Sequence, residues 1–317
     1  MNNLLLLVAR RIGAAVMTLL LVSVVVFAIT SLLPGDAAEE ALGQGATPET
    51  VAALRSQLGL DQPGHVRYMH WLVGLLSGNP GQSLANDLPV SELVASRLPK
   101  SLVLAGATTA VSVPLALLLG ILSAMYRGGK IDRTLNMFTL AMVAVPEFLV
   151  ATLAVLVFAV KLHWLSALSS PPDHPSLAEF LRVYAMPVMT LSFVIIAQMA
   201  RMTRAALIDQ LEQTYVEMAV LKGAGPTRVV LRHALPNAIG PIANAIALSL
   251  SYLLGGAIIV ETIFNYPGIA SLMVDAVTSR DMPLLQTCAM IFCTVYLSLV
   301  LIADVCAIVS NPRLKGH

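Results

Sequence analysis

Three acidic side chains lie inside long apolar stretches of the sequence: Glu147, Glu261 and Asp304. A carboxylate at membrane depth is costly unless it faces a cavity or a partner, so such acids often mark binding or transport sites. Glu147 follows Pro146, and a proline loosens the local helix. This pair predicts a bend where Glu147 either lines a pathway and meets a cationic group, or makes a structural hydrogen bond to a neighbouring helix.

The other two acids lie near the ends of their apolar stretches, which favours different roles. We expect Glu261 to support the fold or position a gate rather than to contact a substrate. Asp304 is expected to pair with a basic group or with exposed backbone, because an unpaired charge there would be costly.

Motifs for catalysis or nucleotide binding are missing from the sequence. A phosphate-binding loop requires Gly-x-x-x-x-Gly-Lys-Ser/Thr, and the nearest string, Gly128-Gly129-Lys130-Ile131, has Ala124 in place of the first glycine. There is no His-Glu-x-x-His and no Gly-x-Ser-x-Gly. The sequence therefore predicts a chain that is not an enzyme and binds no cofactor itself.

Histidines and cysteines do not form a recognisable metal-binding pattern. His65 and His70 lie on one polar segment, and His163 and His174 on another, so they either hold a metal there or lie at the surface. The three cysteines fall in the last apolar stretch and are typical of small buried side chains: Cys288, Cys293 and Cys306. We predict no metal site.

Composition places all these residues in a membrane protein. Of 317 residues, 57% are hydrophobic and 12% charged, with mean hydropathy +0.81, whereas soluble domains carry about 25% charged residues. A net charge of +1 and the lack of basic runs do not indicate nucleic-acid binding. Six stretches are long enough to cross a bilayer as helices: 12–33, 102–126, 135–161, 184–204, 241–263 and 284–309.

Basic residues set the expected orientation. Lysines and arginines are concentrated in the short segments on one side of the six stretches, beginning with Arg10 and Arg11, and are spread over much more chain on the other. The positive-inside rule then predicts that both termini are cytoplasmic. The first apolar stretch is too long for a signal-peptide core and is predicted to be a retained span.

The longest non-membrane segment, residues 34–101, is called the outer insertion. Thr47-Pro48-Glu49 is typical of a helix start, and Gly59 of a helix end. A second short helix through Tyr68 and Trp71 is expected, since both aromatics suit a membrane–water interface. We predict a small helical cap within one transmembrane domain that covers residues 1–317.

Residues 205–240, called the coupling loop, interrupt the apolar pattern on the predicted cytoplasmic side. They contain Glu217-x-Ala219, then Gly223 and Leu235-Pro236. A glycine can adopt the positive φ needed between two helices. The segment also carries apolar side chains that could anchor it in a groove of a partner: Leu221, Val229, Val230 and Leu231. Lys222, Arg228 and Arg232 provide a charged rim around these anchors. The alternative is an ordinary amphipathic loop.

Further motifs occur in order along the chain: Leu33-Pro34-Gly35-Asp36, Leu58-Gly59-Leu60-Asp61, Leu98-Pro99-Lys100-Ser101, Glu261-Thr262-Ile263-Phe264-Asn265-Tyr266-Pro267-Gly268 and Arg280-Asp281-Met282-Pro283. Together with the coupling loop, they resemble the dipeptide/oligopeptide/nickel class of ABC-importer permeases. The long outer insertion is similar to the first of that family's two permease subunits.

This resemblance implies an all-α, polytopic protein of the bacterial inner membrane with six transmembrane helices. It implies that the chain forms, with a second permease and in contact with lipid, a path for di- or oligopeptides. Two partner ATP-binding subunits would bind ATP and Mg²⁺ and dock on a coupling helix, while an extracytoplasmic binding protein delivers substrate. The coupling residues implied are Glu217, Ala219, Leu221, Gly223, Arg228, Leu235 and Pro236.

Two further groups of residues complete the expected sites. The candidate pathway residues are Pro146, Glu147, Ser112, Ser192 and Asn244. The candidate outer-gate or structural residues are Glu261, Asn265, Pro267, Gly268, Arg280 and Asp281.

Several alternatives remain open at this point. The substrate could be nickel, a metallophore, an opine or a glutathione-like compound. An ATP-independent secondary transporter would more often show inverted repeats, which are not evident in this sequence, and a membrane-embedded enzyme would need a catalytic constellation.

Overall fold

A computed structural model describes residues 2–32, 42, 46–57, 59–170 and 176–310. These residues are predominantly helical, as predicted. The helices are α1 (Asn2–Ser31), α2 (Pro48–Gln57), α3 (Gly64–Leu76), α4 (Val90–Met125), α5 (Lys130–Ala144), α6 (Glu147–Ala154), α7 (Leu177–Leu211), α8 (Thr214–Leu221), α9 (Pro226–Arg228), α10 (Leu235–Ile263), α11 (Ile269–Thr278) and α12 (Met282–Ser310). Two π-helical segments, Val155–Lys161 and Val229–Ala234, continue α6 and join α9 to α10.

Five of the helical stretches are long and apolar enough to cross a membrane, and the bent pair Lys130–Ala144 and Glu147–Lys161 makes a sixth if it is one span. The prediction of six spans is therefore confirmed, but several boundaries differ. Helix α4 begins at Val90 rather than near residue 102, and α7 runs from Leu177 to Leu211 through Pro187. Both helices extend beyond their apolar parts because polar residues continue a helix outside the hydrocarbon layer.

The third span is broken, as Pro146 predicts. Helices α5 and α6 meet at an angle of 92°. Val145 is extended, with ψ 123°, and Pro146 forms the N-cap of α6. A proline disfavours the helical conformation in the residue before it, which explains why α5 ends at Ala144.

The described residues divide into two compact units. One unit comprises those in Met1–Ile12, Val103–Tyr266 and Tyr296–His317. Its core is formed by α4, α6, α7 and α10 around buried side chains such as Leu104, Leu191 and Phe264. The coupling loop and the broken span both belong to this unit.

The second unit comprises the described residues of Gly13–Leu102 and Pro267–Val295. Helices α2 and α3 confirm the two helices expected in the outer insertion. The Thr47 hydroxyl accepts a hydrogen bond from the Thr50 N–H at 3.3 Å, and Gly59 has φ 65°. Tyr68 and Trp71 of α3 pack on Phe27 of α1. Leu33-Pro34-Gly35-Asp36, Leu58 and His174 lie outside the described residues.

A buried cap starts the last helix of this second unit. Asp281 is fully buried, and its Oδ1 accepts a hydrogen bond from the Leu284 N–H at 3.3 Å. The Ser83 hydroxyl, in the outer insertion, donates a hydrogen bond to Asp281 Oδ2. One side chain thus caps α12 and holds a distant segment of the same unit.

Replacing Asp281 by alanine is expected to destabilise the protein. Loss of an N-cap costs about 0.5–2 kcal/mol, and leaving the buried Ser83 hydroxyl unpaired adds about 1–3 kcal/mol. A melting curve in detergent should show a clear drop, with Ser83→Ala giving a smaller one because the cap remains. An unchanged melting temperature for Asp281→Ala would contradict this role.

Candidate functional site

The coupling loop contains one short helix, α8, that ends in a well-formed cap. The Gly223 N–H donates to the Val220 carbonyl at 2.9 Å, and the Ala224 N–H to the Ala219 carbonyl at 3.1 Å. This pair of bonds is a Schellman motif, in which the residue after the C-cap is left-handed. Gly223 is that residue, with φ 85°. The positive φ expected of Gly223 is therefore present, and it turns the chain sharply out of α8.

The second half of the loop is not a separate short helix, so the two helices expected on either side of Gly223 are α8 and the start of a long continuous helix. From Pro226 the chain is helical without a break through α9, the segment Val229–Ala234 and α10, as far as Ile263. Pro236 lies at the start of α10. Proline lacks the N–H that would bond to the carbonyl four residues earlier, and its ring clashes there. The wider π-helical turn just before Pro236 accommodates this.

The exposed apolar face of the loop differs from the predicted one. Leu221 and Leu231 are exposed, by 74% and 46%, as expected of anchors. Val229 and Val230 are buried, with 6% and 3% exposure, so they support the loop from inside. They are inaccessible because the continuous helix turns their side of the segment toward the protein.

Ala219 is also buried, on the inward face of α8 beside Val216. Met218 and Val220, which were not among the predicted anchors, are more than half exposed. The spacing of Val216 and Ala219 as inward positions would have indicated that Met218 points outward, whereas Val220, four residues after Val216, is exposed near the end of the helix. The exposed apolar side chains of Met218, Val220, Leu221 and Leu231 are together called the exposed apolar face of the coupling loop.

Polar residues of the coupling loop are also exposed. Glu217 and Arg228 are exposed, and Pro236 lies at the surface while Leu235 is half-buried. The Tyr215 hydroxyl donates to Gln210 Oε1 at 2.9 Å, which ties α8 to the end of α7. The pKa of the Tyr215 hydroxyl is raised above its usual value because burial desolvates it, and a hydrogen bond with Asn237 offsets only part of this rise. Tyr215 is therefore neutral at physiological pH.

The broken third span places Glu147 against α10. Glu147 is half-buried in the first turn of α6. A β-carbon added at Gly256 would stand 2.7 Å from Glu147 Oε2 and 3.1 Å from Leu191 Cδ2. An alanine there would require the ends of the Glu147 and Leu191 side chains to shift, so the carboxylate lies close to the backbone of α10. Among the described residues, no hydrogen bond or ion pair engages the Glu147 carboxylate.

The other candidate pathway residues do not line an open path in this conformation. Ser112 and Ser192 are buried, and Ser112 donates to the Thr108 carbonyl at 2.7 Å. The Ser192 hydroxyl, like that of Ser249, has no partner among the described residues. Asn244 is exposed on α10, at a different position from both serines. The structure thus does not gather these residues into one site.

Comparisons with known proteins bear directly on this architecture. Residues 116–316 match the family described as binding-protein-dependent transport system inner membrane component. Residues 4–105 match the N-terminal region of the same kind of transport component. The chain belongs to this permease family.

Individual relatives are similar over nearly their whole length. The chain is 33% identical over 308 residues to a probable peptide ABC transporter permease of Sinorhizobium fredii, covering 97% of this chain and 98% of the relative. It is 35% identical over 308 residues to a glutathione transport system permease of Salmonella typhimurium, with the same coverage. A putative peptide transport system permease of Brucella abortus is 33% identical over 309 residues, or 98% of each chain.

The chain is therefore a permease subunit of the ABC-importer class and a multi-pass protein of the inner membrane, as the sequence motifs predicted. Its role is in transport rather than in catalysis. Large apolar side chains exposed on α1 and α12, such as Met17, Leu21 and Ile302, are suited to contact with lipid.

Within the first unit of the permease, Glu261 and Asn265 shape the end of α10. Glu261 is fully buried near the end of α10, and its carbonyl accepts a hydrogen bond from the Tyr266 N–H at 2.8 Å. Asn265 adopts φ 47°, a left-handed conformation that asparagine tolerates better than most residues. Arg11 pairs with Asp304 at 3.0 Å, so Asp304 has the basic partner expected from the sequence.

In the second unit of the permease, the remaining motif residues form the ends of helices. Gly268 is the N-cap of α11 and follows Pro267. Arg280, with φ 54°, and Asp281 make the turn between α11 and α12. Their positions at helix ends favour a structural role for Arg280 and Asp281 over direct contact with a substrate.

Proposed function

We propose that the coupling loop of this permease receives force from two ATP-binding subunits, which hold ATP and Mg²⁺. The observation that carries the proposal is the exposed apolar face of Met218, Val220, Leu221 and Leu231 on a loop outside the spans. Apolar side chains in a polar loop are costly in water and are typical of a helix that docks into a groove. A homologous second permease completes the path, and an extracytoplasmic binding protein delivers the substrate.

The substrate we propose is a di- or oligopeptide or a glutathione-like compound. The names of the relatives include both peptide and glutathione transport. Such molecules share a free ammonium group and peptide bonds. Nickel, metallophores and opines are the remaining candidates.

Energy dependence tests this function. In cells whose only copy of the permease is this chain, we expect uptake of a labelled dipeptide to stop when ATP is depleted with arsenate. Uptake should persist when an uncoupler collapses the proton gradient and ATP is maintained. The opposite pattern would indicate a secondary transporter and contradict the proposal.

We further propose that Pro146 and Glu147 line the substrate path, with the Glu147 carboxylate meeting the substrate's ammonium group. The bend exposes part of the carboxylate, and the described residues offer it no cation. An ionised carboxylate at this depth gains stability from a cationic ligand. Ser112, Ser192 and Asn244 would join the path only in another conformation, because the two serines are buried here.

Glu147→Gln is therefore expected to slow uptake of peptides with a free amino terminus. Loss of one charge-assisted contact, about 1.5–3 kcal/mol, corresponds to roughly a tenfold to hundredfold weaker interaction. Uptake of the same peptide with an acetylated amino terminus should be unaffected. Glu147→Asp serves as the control that keeps the charge. Equal effects of Glu147→Gln on both peptides would rule out ammonium recognition.

A further inference from the structure

A buried polar cluster joins the ends of α4, α5 and α7. The Arg204 guanidinium of α7 donates to both oxygens of Asp132 on α5, at 2.7 and 2.8 Å. Ser123 of α4 donates to the same carboxylate at 2.5 Å, Asn136 at 2.7 Å and the Gly128 N–H at 2.9 Å. Asp132 is only 4% exposed. These residues are called the clasp.

Stability alone is a weak reason for such a cluster. Burying the Asp132 carboxylate and most of the Arg204 side chain is costly, and buried ion pairs are often no more stabilising than apolar residues of the same size. A bidentate pair with further hydrogen bonds does fix the relative position of its helices. The clasp therefore holds α5 against α7 in one geometry.

Two other contacts join the same helix ends. Arg127, in the turn between α4 and α5, pairs with Glu212 at 2.8 Å, and Glu212 is the C-cap of α7. One turn before Ser123, a β-carbon at Gly120 would stand 2.7 Å from the Ala200 carbonyl oxygen. Helices α4 and α7 thus touch backbone to backbone beside the clasp.

The same helix ends also pack on the far side of the coupling loop. Ala124 of α4 and Leu207 of α7 belong to one buried apolar cluster with Ala234 and Ala238, where the loop enters α10. Arg204 itself lies two turns before the end of α7 at Leu211, and α8 begins at Thr214. The clasp is therefore next to both ends of the loop.

We propose that the clasp makes the turn between α4 and α5 move as one body with the coupling loop. When the loop is displaced, α7 and α10 move with it. The clasp makes α5, the first half of the broken third span, move with them. Asp132 and Arg204 are positioning residues in this proposal, since they act by holding α5 against α7. The inference rests on the proposed function, because it requires the loop to be moved by ATP-binding subunits.

The first test compares uptake with ATP hydrolysis in the complete transporter, reconstituted in liposomes with its binding protein. The double variant Asp132→Asn/Arg204→Gln removes both charges and leaves no buried charge unpaired. We expect uptake per ATP hydrolysed to fall about tenfold, within the usual range of coupling between sites. Asp304→Asn, which removes the ion pair between α1 and α12, is the matched control and should retain the wild-type ratio.

The outcomes of this test are separable. If the wild-type complex shows no ATP-dependent uptake, the proposed function fails. If the wild type is coupled and the double variant has the same uptake per ATP, the clasp proposal is overturned. A fall in the ratio with normal ATP hydrolysis supports it, because a variant that is merely unstable would lose both activities together.

A second measurement applies even if the double variant does not assemble. Spin labels are placed at exposed positions by Lys130→Cys on α5 and Asp209→Cys on α7, in a chain whose three native cysteines are replaced by serine. In the assembled transporter with wild-type clasp residues, the distance between the labels should be the same without nucleotide and with ATP bound. A shift of about 2 Å or more, the size of a typical helix movement, would overturn the proposal.

Discussion

Replacing Gly223 by proline is expected to abolish uptake while the permease still reaches the membrane. Proline fixes φ near −65°, whereas Gly223 has φ 85°. The substitution also removes the N–H that bonds to the Val220 carbonyl. The loop conformation should lose about 3 kcal/mol, or about a hundredfold in its docking-competent population. Uptake of labelled dipeptide and the amount of permease in membranes are the two measurements.

Gly225 provides the matched control in the same loop. Its φ is −69°, and a β-carbon there would meet no atom within 4 Å. Gly225→Ala should therefore transport normally. Wild-type uptake by Gly223→Pro would mean that the shape of the α8 end does not matter, and the role assigned to the coupling loop would be wrong.

A clear loss of stability is expected from Gly120→Ala. A β-carbon at this position would stand 2.7 Å from both the Ala200 carbonyl oxygen and Thr203 Cβ. Neither atom is the end of a flexible side chain, so α4 and α7 would have to separate. Overpacking of this kind costs about 1–3 kcal/mol. A lower melting temperature in detergent and less folded protein in membranes are the expected results.

Gly106 lies on the same helix and tests whether the effect is one of packing. A β-carbon at Gly106 would meet nothing within 4 Å. Gly106→Ala should leave stability unchanged or raise it by up to about 1 kcal/mol, because alanine favours helix. If Gly106→Ala and Gly120→Ala had equal melting temperatures, the close approach of α4 and α7 would be refuted.

Much of the fold follows from local sequence signals. The apolar stretches predict the spans, Pro146 predicts the break in the third span, and Gly223 predicts the turn after α8. Each is a property of one residue type or of one continuous segment, so no distant contact is needed to infer it.

The contacts between distant segments could not be predicted in the same way. Asp132 and Arg204 are 72 residues apart, and no local pattern in the sequence pairs them. The close approaches at Gly120 and Gly256 depend on how helices pack. Val229 was assigned to the wrong surface because its burial is set by the continuous helix that follows.

The most direct test of the central claim is purification of the tagged permease from its native membrane in mild detergent, with mass spectrometry of the proteins that accompany it. We expect a homologous permease and one or two kinds of ATP-binding subunit, with the ATP-binding subunits lost from Gly223→Pro and retained in Gly225→Ala. Recovery of the chain alone, or only with copies of itself, would contradict the assignment of the coupling loop as the docking site for ATP-binding subunits.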